Sequence, residues 1–135
     1  MRLPEWFRAR RERFVQKYLA NVEEFVAPTL DDGEGIVAVS GGAPQPPFRP
    51  IRGKCVVVTD RRFLVVGMSW SDRPATVESH RREAVTVIDH RDGYWFLHVA
   101  FRIDGSSLDL YVKPWFRSRM EAVVAALPGH APTPE

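Results

Sequence analysis

The chain has 135 residues, of which 44% are apolar and 27% are charged, and this is the size and composition of one globular domain. The apolar fraction is too high for an intrinsically disordered protein, and no apolar run reaches the ~18 residues of a membrane-spanning helix. The single cysteine, Cys55, excludes an internal disulfide and a cysteine-based zinc cluster. The net charge of +2 is too small to indicate nucleic-acid binding, and we expect a cytoplasmic protein.

The first predicted element is a helix from Pro4 to Val26, because Pro4 suits a first helical turn and no glycine or further proline interrupts the segment. Apolar residues recur three and four positions apart, which predicts one broad stripe on this helix. The stripe contains Phe14, Tyr18, Val22 and Phe25, with Val15, Leu19 and Val26 beside it.

The first half of this helix has two interpretations. Two aromatic residues are followed by a cluster of arginines, and this pattern is typical of a helix that lies at a membrane interface or in a protein interface. The candidate residues are Trp6, Phe7, Arg8, Arg10, Arg11, Phe14 and Tyr18. Alternatively, the helix packs on its own sheet with the arginines facing water, since glutamates dilute the charge and the apolar stripe is strongest where arginines are absent.

About seven short strands follow, in residues 35–39, 54–59, 63–67, 76–80, 84–90, 94–103 and 107–112. A loop over residues 40–50 separates the first two. The clearest signal is the alternation in 94–103, which predicts that Trp95, Leu97, Val99, Phe101 and Ile103 are mostly buried. We expect hairpin turns at Asp92-Gly93, with the glycine in the left-handed conformation, and at Asp104-Gly105.

A second amphipathic helix is predicted to begin at Pro114 and to pack through Phe116, Met120 and Val124. Strands with no intervening helices pair antiparallel, so the fold class is mainly β, a sandwich or partly open barrel with flanking helices. We divide the chain into an N-terminal helix (1–28), a β domain with its C-terminal helix (29–128) and a disordered tail (129–135).

The order of elements, with the sequence at the first predicted hairpin, resembles the bacterial pleckstrin-homology-like domains. The resemblance lies in Leu30-Asp31-Asp32-Gly33-Glu34, in the run from Val56 to Val66, where Thr59-Asp60-Arg61-Arg62-Phe63 matches the family's Thr-x-Arg-Arg-apolar turn, and in the final helix. It implies a partly open barrel plugged by that helix. It also implies a non-enzymatic adaptor, often oligomeric or near membranes, with no shared catalytic residues.

Three basic residues near the loop between the first two strands, Arg49, Arg52 and Lys54, form a candidate anion site. Lipid-binding relatives hold their headgroup at this loop, and converging cations bind phosphate through charge-assisted hydrogen bonds. The alternative is that these side chains are simply solvated.

Neither catalysis nor metal binding has support in the sequence. His90 and His98 flank a turn, but the predicted pairing places His98 nearer Thr86, and no pair has the spacing of a metal site. We therefore predict no enzyme activity, no cofactor and no metal. The expected function is protein binding or assembly, through a homo-oligomer or another protein, with anionic-membrane binding as the alternative and single-stranded nucleic acid as the third possibility.

Overall fold

The computed structural model describes residues 4–44, 53–93 and 95–128. In these residues, two α-helices flank seven antiparallel strands in two sheets, ordered β1-β2-β3-β4 and β5-β6-β7. The elements are α1 (Glu5–Val26), β1 (Ile36–Gly42), β2 (Lys54–Thr59), β3 (Arg62–Met68), β4 (Pro74–Arg81), β5 (Val85–Asp92), β6 (Leu97–Ile103), β7 (Ser106–Val112) and α2 (Arg117–Ala126). The predicted fold class is confirmed. The predicted tail, 129–135, lies outside the described residues.

The two central strands of the first sheet are buried on both faces, because β2 and β3 are apolar at nearly every position. The edge strand β4 is mostly exposed. The sheet's inner face carries Val56, Val58, Phe63 and Val65, which belong to the core shared with the second sheet and α2. Its outer face carries Cys55, Val57, Leu64 and Val66, which α1 covers with Val22 and Val26. The first helix is therefore a layer of the fold.

The buried stripe of α1 differs from the predicted one by about one residue. Val15, Leu19, Val22 and Val26 are buried, whereas Phe14 is 50% exposed. Tyr18 and Phe25 are half-buried beside the stripe. Val22 and Val26 thus face the valine-rich outer side of the first sheet, Val15 and Leu19 join the inner core, and the aromatic rings lie beside the stripe.

The inner core lies between the two sheets and is closed by α2, which packs mainly on β1. The second sheet contributes Leu97, Val99, Phe101, Leu110 and Val112, and α2 with the turn before it contributes Phe116, Met120, Val123 and Val124. Beyond the end of β1, Ala43 exchanges two backbone hydrogen bonds with Tyr111, at 3.0 and 2.8 Å, which joins the two sheets at this edge.

Three predictions in the strand region were wrong. Strand β6 begins at Leu97, and Trp95 is 68% exposed. The reason is a turn that contains Trp95, which the backbone N–H of Gly93 closes by donating to the carbonyl of Phe96 at 2.7 Å. Gly93 is not among the positive-φ residues. Strand β1 continues to Gly42, so the loop predicted to start at residue 40 starts later.

The turn predicted at Asp104-Gly105 is present. Both residues have positive φ, 49° and 87°, as a two-residue hairpin turn of type I′ requires. No helix in the described residues has the length and apolar character that a bilayer crossing needs.

Candidate functional site

The predicted anion site is described only in part, since Arg49 and Arg52 lie outside the described residues. Lys54 is the first residue of β2 and is half-buried. It lines a cleft of about 300 Å³ together with Glu78 and His80 of β4 and with Asp104 and Ser106 at the β6–β7 turn. Two carboxylates thus share this cleft with one lysine and one histidine, so the described part of the cleft does not favour an anionic ligand.

The candidate residues of α1 divide between contacts within the fold and exposed positions. Tyr18 packs on Phe116, with ring centroids 5.6 Å apart. The guanidinium of Arg11 lies 4.2 Å from the ring centroid of Trp115. Both of these predicted interface residues therefore help to attach α1 to the segment between β7 and α2.

The remaining candidates on α1 face solvent to a greater degree. Trp6 is 66% exposed and stacks edge-on against Phe7, with ring centroids 5.9 Å apart. Arg8 and Arg10 are exposed, as is Phe14. The structure thus leaves two aromatic rings and several arginines of this helix available to a partner.

A further exposed aromatic surface lies at the β5–β6 turn. A groove of about 450 Å³ is lined by Arg91, Asp92, Gly93, Trp95, Phe96, His98 and Tyr111, and we call these seven residues the aromatic groove. Trp95 is exposed, and Phe96 and Tyr111 are half-buried. A Cβ atom at position 93 would lie 2.6 Å from the carbonyl oxygen of Phe96, so only glycine permits this turn.

The register of the second sheet assembles one wall of the aromatic groove. Arg91, His98 and Tyr111 are opposite one another on β5, β6 and β7, and their side chains share the outer face. The rings of His98 and Tyr111 stack with centroids 4.7 Å apart. The expected pairing of His98 with Thr86 was wrong, because the turn lies further along the chain than predicted.

Carboxylates hold the His98 ring in place from two sides. Its Nε2 lies 3.0 Å from Asp109 Oδ1, and its Nδ1 lies 3.7 Å from Asp89 Oδ2. Arg91 in turn contacts Asp89 at 2.8 Å. The wall of the groove is therefore fixed by the Arg91–Asp89 ion pair, the hydrogen bond between His98 and Asp109 and ring stacking, which preorganises it for binding.

A second polar cluster surrounds Glu34, whose side chain is buried. Arg62 donates from Nη2 to Oε1 at 2.6 Å and from Nε to Oε2 at 3.0 Å, and Thr59 Oγ1 donates to Oε2 at 2.6 Å. The hydrogen bonds from Arg62 lower the pKa of Glu34 to about 2. Thr59 and Arg62 belong to the Thr-x-Arg-Arg turn, so these two residues of the motif join the hairpin to the segment before β1.

Cys55 and Tyr18 form a buried pair between the first sheet and α1, with Sγ and OH 3.7 Å apart. Burial raises the pKa of the Cys55 thiol to about 12, and burial also raises the pKa of Tyr18. A protonated thiol is a poor nucleophile, so this pair acts in packing.

The described residues contain no group of three or more His, Cys, Asp or Glu side chains placed to hold a metal ion. Comparison of the chain with protein-family models, with curated proteins and with solved structures finds no match. A function for this chain is therefore inferred from the geometry of its own residues.

Sequence reasoning assigned Trp95 to the core and so missed the aromatic groove. The alternation of residues 94–103 continues through the residues that precede β6, so it does not show where strand pairing begins. The available signal was Gly93, because a tryptophan two residues after a turn glycine still lies within reach of the turn.

Proposed function

We propose that this protein is a non-enzymatic binding module of pleckstrin-homology-like architecture, which binds a protein partner in the aromatic groove. Three features support the architecture: four strands followed by three, a helix directly after the last strand, and the Thr-x-Arg-Arg turn between β2 and β3. A fold alone does not decide function, so the binding site is argued from its own chemistry.

The exposure of Trp95 is the observation that carries the proposal. A tryptophan side chain that is 68% exposed leaves a large apolar area in water, and here it stands beside Phe96 and Tyr111. Tryptophan, tyrosine and arginine are the residue types enriched where protein interfaces gain most of their binding energy. The aromatic groove contains all three.

The chemistry of the groove favours an extended partner segment that contains proline. The exposed aromatic surface of Trp95 and the half-buried rings of Phe96 and Tyr111 suit contact with pyrrolidine rings, and a polyproline II segment loses little conformational entropy when it binds. The charged side chains at the groove are already paired, Arg91 with Asp89 and Asp92 with Arg117 at 3.0 Å. An uncharged segment therefore fits better than a strongly charged one.

The test is a selection from a displayed library of random peptides against the immobilised protein, followed by calorimetry on the selected peptides. We expect enrichment of proline-containing sequences. Trp95→Ala should weaken their binding at least tenfold, as the loss of a central aromatic contact does. Because Trp95 is exposed, this substitution should leave the thermal midpoint of unfolding nearly unchanged.

Trp70→Ala is the matched control, since Trp70 is 64% exposed in the loop between β3 and β4, away from the aromatic groove. Unchanged binding by this variant would show that the loss is specific to the groove. If the selected peptides bind Trp95→Ala as tightly as the wild type, the partner site lies elsewhere and the proposal is wrong.

A further inference from the structure

The solvent face of α1 carries a pattern that the packing of the helix does not explain. Opposite the buried stripe lie Trp6, Arg10, Arg13, Phe14 and Lys17, and we call these five residues the basic aromatic face. Their spacings of three, four and seven residues place them on one side of the helix. Trp6 is 66% exposed and Phe14 is 50% exposed.

From Trp6 to Lys17 the charge on this face has one sign, and the exposed Glu24 lies on the same side seven residues further on, in the last turn of the helix. No ion pair among the described residues includes Arg10, Arg13 or Lys17, although the neighbouring Glu12 pairs with Arg119 of α2. The hydrogen bonds from Arg119 lower the pKa of Glu12, so this acid stays ionised and engaged on the side of the helix near α2. Three cations therefore face solvent together, and the complementary ligand is anionic.

The arrangement of the rings distinguishes a membrane from a nucleic acid. Trp6 and Phe14 are two helical turns apart, about 12 Å along the axis, and the three cations lie among them on a convex surface. Single-stranded nucleic acid is bound in a groove that follows its backbone, whereas a straight helix face matches a plane. Aromatic rings at headgroup depth beside basic residues are typical of helices that lie in the interface.

We propose that α1 lies flat on an anionic membrane surface, with the basic aromatic face toward the phospholipid headgroups and the two sheets on the side away from the bilayer. Val22 and Val26 attach the helix to the first sheet and Val15 and Leu19 attach it to the inner core, so binding needs no unfolding of the domain. This proposal is independent of the aromatic groove, which belongs to the second sheet.

The experiment is cosedimentation of the full chain with vesicles of phosphatidylcholine alone and of equal parts phosphatidylserine and phosphatidylcholine. We expect binding to the phosphatidylserine vesicles only. Binding should weaken as salt is raised beyond 0.1 M, where the Debye length is about 10 Å. Each of Arg10→Ala, Arg13→Ala and Lys17→Ala should lower the partition coefficient about fivefold.

Arg81→Ala and Arg102→Ala are the charge-matched controls, since both residues are exposed on strands and neither belongs to the basic aromatic face. If these controls weaken binding as much as the three substitutions on α1, net charge alone is responsible and the proposal is wrong. Phe14→Ala tests the rings separately and should weaken binding while leaving its salt dependence unchanged.

Two further outcomes would overturn the proposal. Competition by an oligodeoxythymidine that displaces the protein from the vesicles would assign the face to nucleic acid. Sedimentation showing that the free chain is a dimer, which Trp6→Ala and Phe14→Ala dissociate, would assign it to a second copy of this chain. Circular dichroism of each variant should match the wild type, because all five residues face solvent.

Discussion

The two sheets of this protein differ in how many of their faces are covered. The central strands of the first sheet, β2 and β3, are buried on the inside by the second sheet and α2, and on the outside by α1. The second sheet is buried only on the inside. Residues of β6 point alternately to the core and to the outer face, and the outer face carries polar side chains such as His98 and Arg102.

The strand sequences record this difference. In β2 and β3 the residues of both faces are apolar, whereas β6 alternates between apolar and polar positions over most of its length. The N-terminal helix thus covers the outer face of β2 and β3, whereas the outer face of the second sheet, which carries part of the aromatic groove, has no such cover in the described residues. Partner binding is expected where a sheet face lacks cover.

The largest expected effect tests the shared inner core. Phe101 is fully buried on β6, with its ring centroid 5.3 Å from that of Phe63 on β3, so it contacts the first sheet directly. Phe101→Ala should lower the free energy of unfolding by about 4 kcal/mol, because it removes a large buried side chain and leaves a cavity. Urea unfolding at constant slope measures this change. A loss below about 1 kcal/mol would contradict the placement of Phe101 between the sheets.

The next largest effect concerns the ion pair between Glu34, which precedes β1, and Arg62 of β3. Glu34→Ala leaves the partly buried Arg62 without its carboxylate, and we expect a loss of about 3 kcal/mol. The matched control is Asp31→Ala, because Asp31 lies 4.0 Å from Arg61 and both side chains are exposed. The control should change stability by less than about 0.5 kcal/mol.

The contribution of the Glu34–Arg62 ion pair to the free energy of unfolding has a pH dependence of known sign. The pKa of Glu34 is lowered from 4.5 to about 2, so the folded state holds this carboxylate ionised more strongly than the unfolded state does. Its stabilising contribution is therefore complete above pH 4.5 and is lost as the pH falls toward 2. We expect the stability difference between wild type and Glu34→Gln to shrink over this interval. A difference that stays constant with pH would contradict the ion pair.

The sequence predicts most of the fold because the local patterns of this chain agree with its tertiary contacts. The long helix, the hairpin at Thr59 and the turn at Asp104-Gly105 each carry a local signal, and the structure contains all three. The orientation of α1 was less predictable. Residue spacing predicted a stripe through Phe14, whereas in the structure its neighbour Val15 is buried in the inner core and Phe14 is exposed.

The candidate site was harder to predict because its parts meet only in the folded sheet. Arg91 and Tyr111 are brought to opposite sides of His98 by strand register, and that register follows from where the turn closes. Glu34 and Arg62 are 28 positions apart with no sequence signal that joins them. The interface residues of α1 stay a prediction, since the structure shows their exposure and not their partner.

The smallest expected effect compares two glycines, Gly105 beside the second sheet and Gly35 beside the first. Gly105 has a φ of 87° in the turn between β6 and β7, a conformation that costs an L-amino acid about 1 kcal/mol. A Cβ atom at this position would meet no other atom within 4 Å, so Gly105→Ala isolates the backbone cost.

Gly35, which precedes β1 of the first sheet, is equally open and lacks the positive φ. Gly35→Ala should therefore leave stability unchanged or raise it by about 0.5 kcal/mol, since alanine reduces the entropy of the unfolded chain. Thermal unfolding of the two variants side by side measures the difference. Equal midpoints would show that the β6–β7 turn does not need the left-handed glycine.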